Sequence, residues 1–439
     1  MPEREPLQNL SPAEKRKLLA QLLRQRGGTL PLSLPDGAAG FQPPPEFLAL
    51  KAQMQELERA AGAIYFQEAG GVNADTALVQ GRELINYASY NYLGLSGHPV
   101  VSQAAKDAID RYGTSVSASR LVSGERPLHR ELEQELARLL GAEACLTFVG
   151  GFGTNETVVG RLAGPGDLVL YDSLIHSSIQ EGSRLSGAQV RVFPHSSWEA
   201  LDQLLQTHRR NYQRVLIVIE GVYSMDGDVP DLPRFIEVKK RHRAMLMVDE
   251  AHSIGVLGQQ GGGIGEHFGV ARGDVEVWMG TLSKALAACG GYVAGSRELV
   301  EYLRFTTPGF VYSVGMSPPN AAAALAALQQ MRAEPERLEQ LRARAKLFLD
   351  LARQGGLNTG SSRDSAVVPV IVGSSQRAVQ LYRSLYDAGI LAFPIMHPTV
   401  PENTARLRFF LSCTHSEQQI RHTIQVMTNC LREQLPAAA

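Results

Sequence analysis

Cysteine is scarce in this 439-residue chain: there are four, Cys145, Cys289, Cys413 and Cys430. None belongs to a CxxC pair or any other metal-ligand spacing, so neither a disulfide framework nor a metal site is indicated, and a reducing, cytoplasmic location is expected. There is no run of about 18 apolar residues, so no membrane span is expected. The opening Met-Pro-Glu-Arg-Glu lacks the basic and then apolar regions of a signal peptide. Neither sign of charge dominates: 43 Lys and Arg against 44 Asp and Glu leave a net charge of -1. That balance lacks the basic footprint of a nucleic-acid binder. Also absent is any GxxxxGK[ST] loop, which argues against a P-loop nucleotide site. What remains, 44% hydrophobic and 20% charged residues, is the composition of an ordinary globular protein long enough for two or three domains.

The chain is organised unevenly. Ser11-Pro12-Ala13-Glu14 has the serine cap, early proline and closing glutamate of a helix start. Leu18, Leu19, Leu22 and Leu23 continue it as one apolar stripe, and a Gly/Pro-rich stretch from Gly27 to Glu46 follows. Residues 1–45 therefore read as an amphipathic helix and linker, either a frayed terminus or a tether to a neighbour. Beyond them, "RVLIVIE" (Arg214 to Glu220) and "AMLMVDE" (Ala244 to Glu250) are continuous apolar runs, as in strands buried on both faces of a parallel sheet. "ACLTFV", "DLVLYD" and "AQVRVF" supply further strands, each followed by a helical pattern. "PLHRELEQELARLLG" has proline at a helix start and glycine at its stop. The alternation predicts an α/β fold with a doubly wound, mostly parallel sheet and ligands at the carboxyl ends of its strands. After Pro318 two helical patterns precede "AVVPVIV", "ILAFPI" and "RLRFFLS", which predicts a smaller α+β domain. The expected division is 1–45, an N-terminal segment 46–97, a large domain 98–317 and a small domain 318–439.

Two stretches carry the chemistry. Asp249-Glu250-Ala251-His252 spells a helicase box, yet the missing phosphate loop removes that reading, and the glycine cluster Gly258 to Gly265 contains no lysine. Asp249 instead ends a buried strand, where a lone carboxylate is costly unless it meets a cationic partner. Further along, "GTLSKALAACGGY" places Lys284 beside the hydroxyls of Thr281 and Ser283 and just before Gly290-Gly291. A lysine is ordinarily a solvated surface residue; small neighbours and anion-binding hydroxyls point to a Schiff-base lysine beside a phosphate.

Together with "NYASYNYLGLSGHP", "SASRLVSG", "FVGGFGTN", "DSLIHSSI", "EGVYSMDGD", "VDEAHSIGVLG", "HPTVP" and "ARLRFFLS", these motifs make the chain resemble the α-oxoamine synthases from about Asn86 to Leu431. That family includes serine palmitoyltransferase, 5-aminolevulinate synthase and 8-amino-7-oxononanoate synthase. The resemblance implies pyridoxal-phosphate fold type I, the aspartate-aminotransferase-like fold, and pyridoxal 5'-phosphate as cofactor.

It also implies residue roles. Lys284 would carry the Schiff base and move the substrate Cα proton, and Asp249 would keep the pyridine nitrogen protonated. His252 and Ser224 would reach the ring oxygen, and His176 would stack on the ring. Gly151 and Phe152, at the start of a helix whose free N–H groups suit a phosphate, would share that phosphate with Thr281, Ser283 and a partner subunit's copy of Ser313. Asn91 and Arg408 would hold the amino-acid carboxylate, arginine through its bidentate fork. Some relatives carry a further arginine where this chain has Met396, and Arg406 has the alternative of a structural ion pair. The implied reaction is a decarboxylative Claisen-type condensation of glycine, alanine or serine with an acyl thioester, in a homodimer. The N-terminal segment resembles assembly-line linkers, which favours a carrier-protein thioester over coenzyme A. An aminotransferase or lyase on the same fold is the other reading.

Overall fold

The structure, a computed structural model, describes residues 41–434. The helix expected over residues 11–23, and most of the linker after it, lie outside the described residues. The chain divides at Gly62 into two units. On the N-terminal side the described part is one helix, Pro45–Ala61, started by proline and closed by Gly62 at φ 75°.

Three short strands open the second unit: β1 (Ala69–Gly70), β2 (Thr76–Val79) and β3 (Arg82–Asn86). Seven follow: β4 (Ala144–Phe148), β5 (Leu168–Asp172), β6 (Gln189–Phe193), β7 (Val215–Glu220), β8 (Met245–Asp249), β9 (Val277–Thr281) and β10 (Gly291–Gly295). The last are β11 (Val367–Gly373), β12 (Ile390–Leu391), β13 (Pro394–Ile395) and β14 (Ala405–Phe410). The central sheet has the order β4-β10-β9-β8-β7-β5-β6. Its pairs are parallel from β9 through to β6, while β10 runs antiparallel to both β4 and β9.

The inner strands of this sheet are hydrophobic because they are covered on both faces, whereas the edge strand β6 is buried only at Phe193. Every residue of β7 is buried, and Leu216, Ile217, Val218 and Ile219 each contribute roughly 1.5–3 kcal/mol of apolar burial. One face packs Val158, Val159 and Leu162 of helix Gly151–Leu162 against Val169, Val218, Met247 and Met279. The helix Pro127–Leu140 buries Leu132, Leu136 and Leu140 and stops at Gly141 in the left-handed region, as its proline and glycine predict.

Register then brings the strand ends together. Glu220 pairs with Asp249, Asp249 with Met279, and Gly291 with both Thr281 and Phe148. Asp172, Glu220, Asp249, Thr281 and the start of β10 thus lie along one edge of the sheet. Two smaller sheets flank that edge in sequence terms: β1-β2-β3-β12 and β11-β14-β13. In the first, β3 pairs in parallel with β12, so the segment before residue 97 shares a sheet with residues near the C-terminus. In the second, Arg406 and Arg408 are two apart on β14 and therefore share a face.

Candidate active site

The edge begins with an anion cradle. Helix Gly151–Leu162 follows β4 with Gly150 at its cap and no side chain bonding its first N–H groups. Beside it, Thr281 Oγ1 donates to Gly290 O at 2.9 Å and accepts from the Ser283 backbone N–H at 3.2 Å, with Ser283 Oγ also 3.2 Å away. Glycine is required for the fit: a Cβ on Gly151 would come 2.8 Å from Thr281 Oγ1, and one on Gly291 2.4 Å from Thr154 Oγ1. Uncapped N–H groups, two hydroxyls and a glycine floor are what a phosphate needs.

Asp249 is buried at the centre of the edge. Its Oδ2 accepts from Asn155 Nδ2 at 2.7 Å and its Oδ1 from the Ala251 N–H at 2.9 Å. The same Asn155 amide nitrogen lies 3.0 Å from Ser178 Oγ, which lies 2.7 Å from His176 Nδ1. These bonds hold the carboxylate and the imidazole in fixed relation, and His176 also caps helix Ser177–Ser186. Glu220 Oε1 accepts the His176 N–H at 2.7 Å. Burial first, then repulsion by Asp249, raises the Glu220 carboxyl well above the usual carboxylate range. His176 is open to solvent on one side, yet desolvation holds its ring below the ordinary imidazole range against the pull of Asp249.

Lys284 lies across from these groups. Burial lowers its amine to about pKa 8, with Asp249 and Glu220 opposing and Arg408 assisting. Among the described residues it makes no ion pair; its Nζ stands 5.7 Å from the Tyr90 ring centroid. The Tyr90 ring packs edge-on against Phe410 at 4.8 Å and His252 at 6.1 Å. His252 Nδ1 is 2.7 Å from the Tyr92 hydroxyl. Burial, followed by the charges of Lys284 and Arg408, keeps His252 well below its ordinary range and therefore neutral. Arg408 lies over the Phe410 ring at 4.5 Å and donates to Ser224 O at 3.0 Å. It has no carboxylate partner among the described residues. Arg406 does have one, Asp226 at 2.6 Å, and is structural.

Most of the residues expected from sequence converge: Gly151, Thr281 and Ser283 at the cradle, and Asp249, His176, His252, Lys284, Ser224 and Arg408 beyond it. Phe152 presents its ring edge to His176 at 6.2 Å. Asn91 is not brought to the group. Its Oδ1 accepts the Ser96 N–H at 3.1 Å and its Nδ2 donates to the Ser96 carbonyl in the same loop and to the Asn73 carbonyl before β2, both at 3.3 Å, while the neighbouring Tyr90 faces Lys284. Ser313 stands in the segment between Val311 and Pro318, where its hydroxyl donates to Val314 O at 3.2 Å, and it makes no bond to the cradle. Sequence reasoning passed over Asn155, Glu220, Tyr90 and Tyr92. All four sit inside motifs quoted for the family, and their position there was the available signal.

Comparison with known proteins agrees with this geometry. The family described as Aminotransferase class I and II matches residues 82–427. The 8-amino-7-oxononanoate synthase of Geobacter sulfurreducens is 40% identical over 387 residues, 88% of this chain and 98% of the relative. That of Symbiobacterium thermophilum is 40% identical over 357 residues, 81% and 91%. Among solved structures, the Sphingomonas wittichii serine palmitoyltransferase superposes with a TM-score of 0.84 at 30% identity, covering 89% of this chain and 98% of its own. A serine palmitoyltransferase from S. paucimobilis with bound PLP–myriocin gives 0.85 at 29%, covering 88% and 98%.

Proposed function

The chain belongs to the α-oxoamine synthases, pyridoxal-phosphate-dependent acyltransferases of the class I and II aminotransferase fold, and on that premise we propose that it joins a small α-amino acid to an acyl thioester with loss of carbon dioxide. The observation that carries the reading is one arrangement. A half-buried lysine of lowered pKa shares the site with a buried, pre-oriented carboxylate and an arginine that has no carboxylate partner among the described residues.

The residues fit the cofactor. The uncapped helix start at Gly151 and the Thr281 and Ser283 hydroxyls suit its phosphate, and Asp249, fixed by Asn155, suits a protonated pyridine nitrogen. When bound, pyridoxal phosphate supplies the carbonyl that binds amines and a ring that accepts electron density from the substrate Cα. The protein's part is orientation and proton control. Arg408 holds the substrate carboxylate through paired N–H donors. Tyr92, whose hydroxyl burial keeps protonated, lies 2.7 Å from His252 Nδ1; donation by Tyr92 there would leave the ring hydrogen on Nε2, free to bond the cofactor oxygen. Ser224, whose backbone carbonyl accepts from Arg408, would add a hydroxyl to that oxygen. His176 would cover the ring face, and Lys284, able to lose its proton near pH 8, would take the Cα hydrogen as a general base. Carbon–carbon bond formation releases the thiol, decarboxylation follows, and the product is an α-amino ketone.

The acyl donor in this reading is a carrier-protein thioester, supported by the linker-like composition of residues 1–45. The working unit is a cytoplasmic homodimer. Its support is the set of exposed apolar residues beside the cradle and the Ser313 loop: Phe152, Val149, Tyr312, Val314, Leu121 and Val122. The test is a visible spectrum of the purified protein with glycine, alanine and serine beside Lys284→Ala, followed by turnover with matched carrier-bound and coenzyme A thioesters. A cofactor band that shifts with one amino acid, and faster carbon dioxide release from the carrier thioester, is expected. A keto-acid product without chain joining would move the chain to the transaminases; no band with added cofactor would end the enzyme reading.

A further inference from the structure

Outside the groups just described, a largely buried charge cluster centred on the partly exposed His195 has no assigned task. His195, two residues past β6, has both ring nitrogens on carboxylates: Nδ1 at 2.9 Å from Asp172 Oδ1 and Nε2 at 2.9 Å from Asp228 Oδ2. A neutral imidazole has one N–H, so one of these contacts would set a lone pair against a carboxylate oxygen. The geometry requires the doubly protonated ring. Burial opposes that charge, but the bonds and charges of Asp172 and Asp228 outweigh it and hold the pKa up at about 10. The other titratable group facing the ring is Tyr223, edge-on at 4.5 Å, its own hydroxyl kept protonated by burial and by Asp172 and Glu220.

The two carboxylates belong to the turns that carry cofactor residues. Asp172 ends β5; its Oδ1 accepts the Leu174 N–H at 2.8 Å and its backbone carbonyl accepts the Ile175 N–H at 3.0 Å, shaping the turn that delivers His176. Its Oδ2 accepts the Ser196 N–H at 2.7 Å. Asp228 closes the turn after β7, where Tyr223 N–H bonds Asp228 O at 3.1 Å and Gly227 N–H bonds Tyr223 O at 2.8 Å, with Ser224 between them. We propose that His195 is a positioning residue: by bridging Asp172 and Asp228 it ties the His176 turn to the Ser224 turn and so sets the two contacts those residues make with the cofactor. This rests on the pyridoxal-phosphate reading of the site, while the bridge itself does not.

Selective ¹⁵N-histidine labelling of the cofactor-free protein, with His195→Gln to assign the signal, tests the bridge. Both His195 nitrogens are expected to stay protonated at pH 8; a neutral ring there overturns the proposal. His195→Gln then tests the consequence in the loaded enzyme. Glutamine donates at one end only, so an altered visible circular dichroism of the cofactor band is expected. Turnover should fall by on the order of ten- to a hundredfold, as small misplacements cost, with KM for the amino acid within about twofold. His195→Arg, whose fork can donate to both carboxylates, should restore much of the loss, which a general packing defect would not allow. A wild-type band and turnover in folded His195→Gln would sink the idea. Should that variant not fold, Asp228→Asn is read by the same circular dichroism and turnover. A wild type with no band fails the reading of the site, and the nitrogen measurement alone then decides the bridge.

Discussion

Lys284 and Arg408 occupy similar surroundings and are affected in opposite useful ways. Desolvation strips the lysine of part of its tendency to hold a proton, which makes its amine available near pH 8, where an ordinary lysine at about 10.4 is almost wholly charged. Trapping of Lys284 in the cofactor-free protein by an aldehyde and borohydride should therefore rise with pH through about 8; a midpoint in the ordinary lysine range would contradict the burial argument. Arginine cannot release its proton, so the same desolvation leaves Arg408 as a charge in search of an anion. Arg408→Lys loses the paired donors and should raise KM for the amino acid roughly ten- to a hundredfold, the equivalent of about 1.5–3 kcal/mol for bonds to a charged group, while the cofactor band persists. Arg406→Lys, two residues away and paired with Asp226, should act on stability instead, measured by thermal melting. At this scale Asp249 and Lys284 were legible because each ends or follows a recognisable apolar strand, while His252 was legible only through its place in a motif resembling the family's. Asn155 had only its place in a family motif to mark it: its own residue type, in the second turn of its helix, carries no local sign that its amide will meet an aspartate on another strand.

At the scale of elements, the cradle depends on how closely a helix start can approach two strands. A Cβ on Gly291 would stand 2.4 Å from Thr154 Oγ1 and 2.9 Å from Gly151 Cα, so Gly291→Ala must push helix Gly151–Leu162 off β10. We expect a loss of about 1–3 kcal/mol, typical of overpacking, and at least a tenfold weaker hold on pyridoxal phosphate, read by melting and by cofactor titration. Gly153→Ala is the control, since its Cβ meets nothing within 4 Å and alanine favours a helix over glycine. Its melting temperature should stay level or rise. The turn after β7 shows the same logic: Gly227 lies at φ 68°, and a Cβ there would sit 1.9 Å from Val367 O on β11. Element boundaries were largely readable from caps and apolar runs. That β10 inserts antiparallel between β4 and β9 was not, because a five-residue apolar strand looks the same in either direction.

For the whole molecule, the informative feature is what stays uncovered. Tyr312 is 86% and Val122 75% exposed, and they sit on neighbouring segments joined by the bond from Gly315 N–H to Ala118 O. Apolar side chains clustered beside a site are expected to be covered by a second copy of the chain. Wild type should sediment as a dimer, and Tyr312→Asp combined with Val122→Asp should shift it toward monomer with weaker cofactor binding. A double variant that stays dimeric with full occupancy would place the interface elsewhere.

What the sequence determined alone was a set of local facts: which runs are buried strands, where helices start and stop, and which strand ends carry a lysine, a carboxylate or an imidazole. Those follow from period, capping and burial cost, which act over a few residues, and they sufficed to point to a doubly wound α/β sheet; the cofactor came from the resemblance of the motifs to the α-oxoamine synthases. Only the tertiary structure decided which groups meet. Strand order set Glu220 beside Asp249 and His176, loop closure spent the Asn91 amide and presented Tyr90, and three adjacent strand ends brought two carboxylates to His195. Such meetings depend on register and packing between segments far apart in the chain, and no local pattern encodes them.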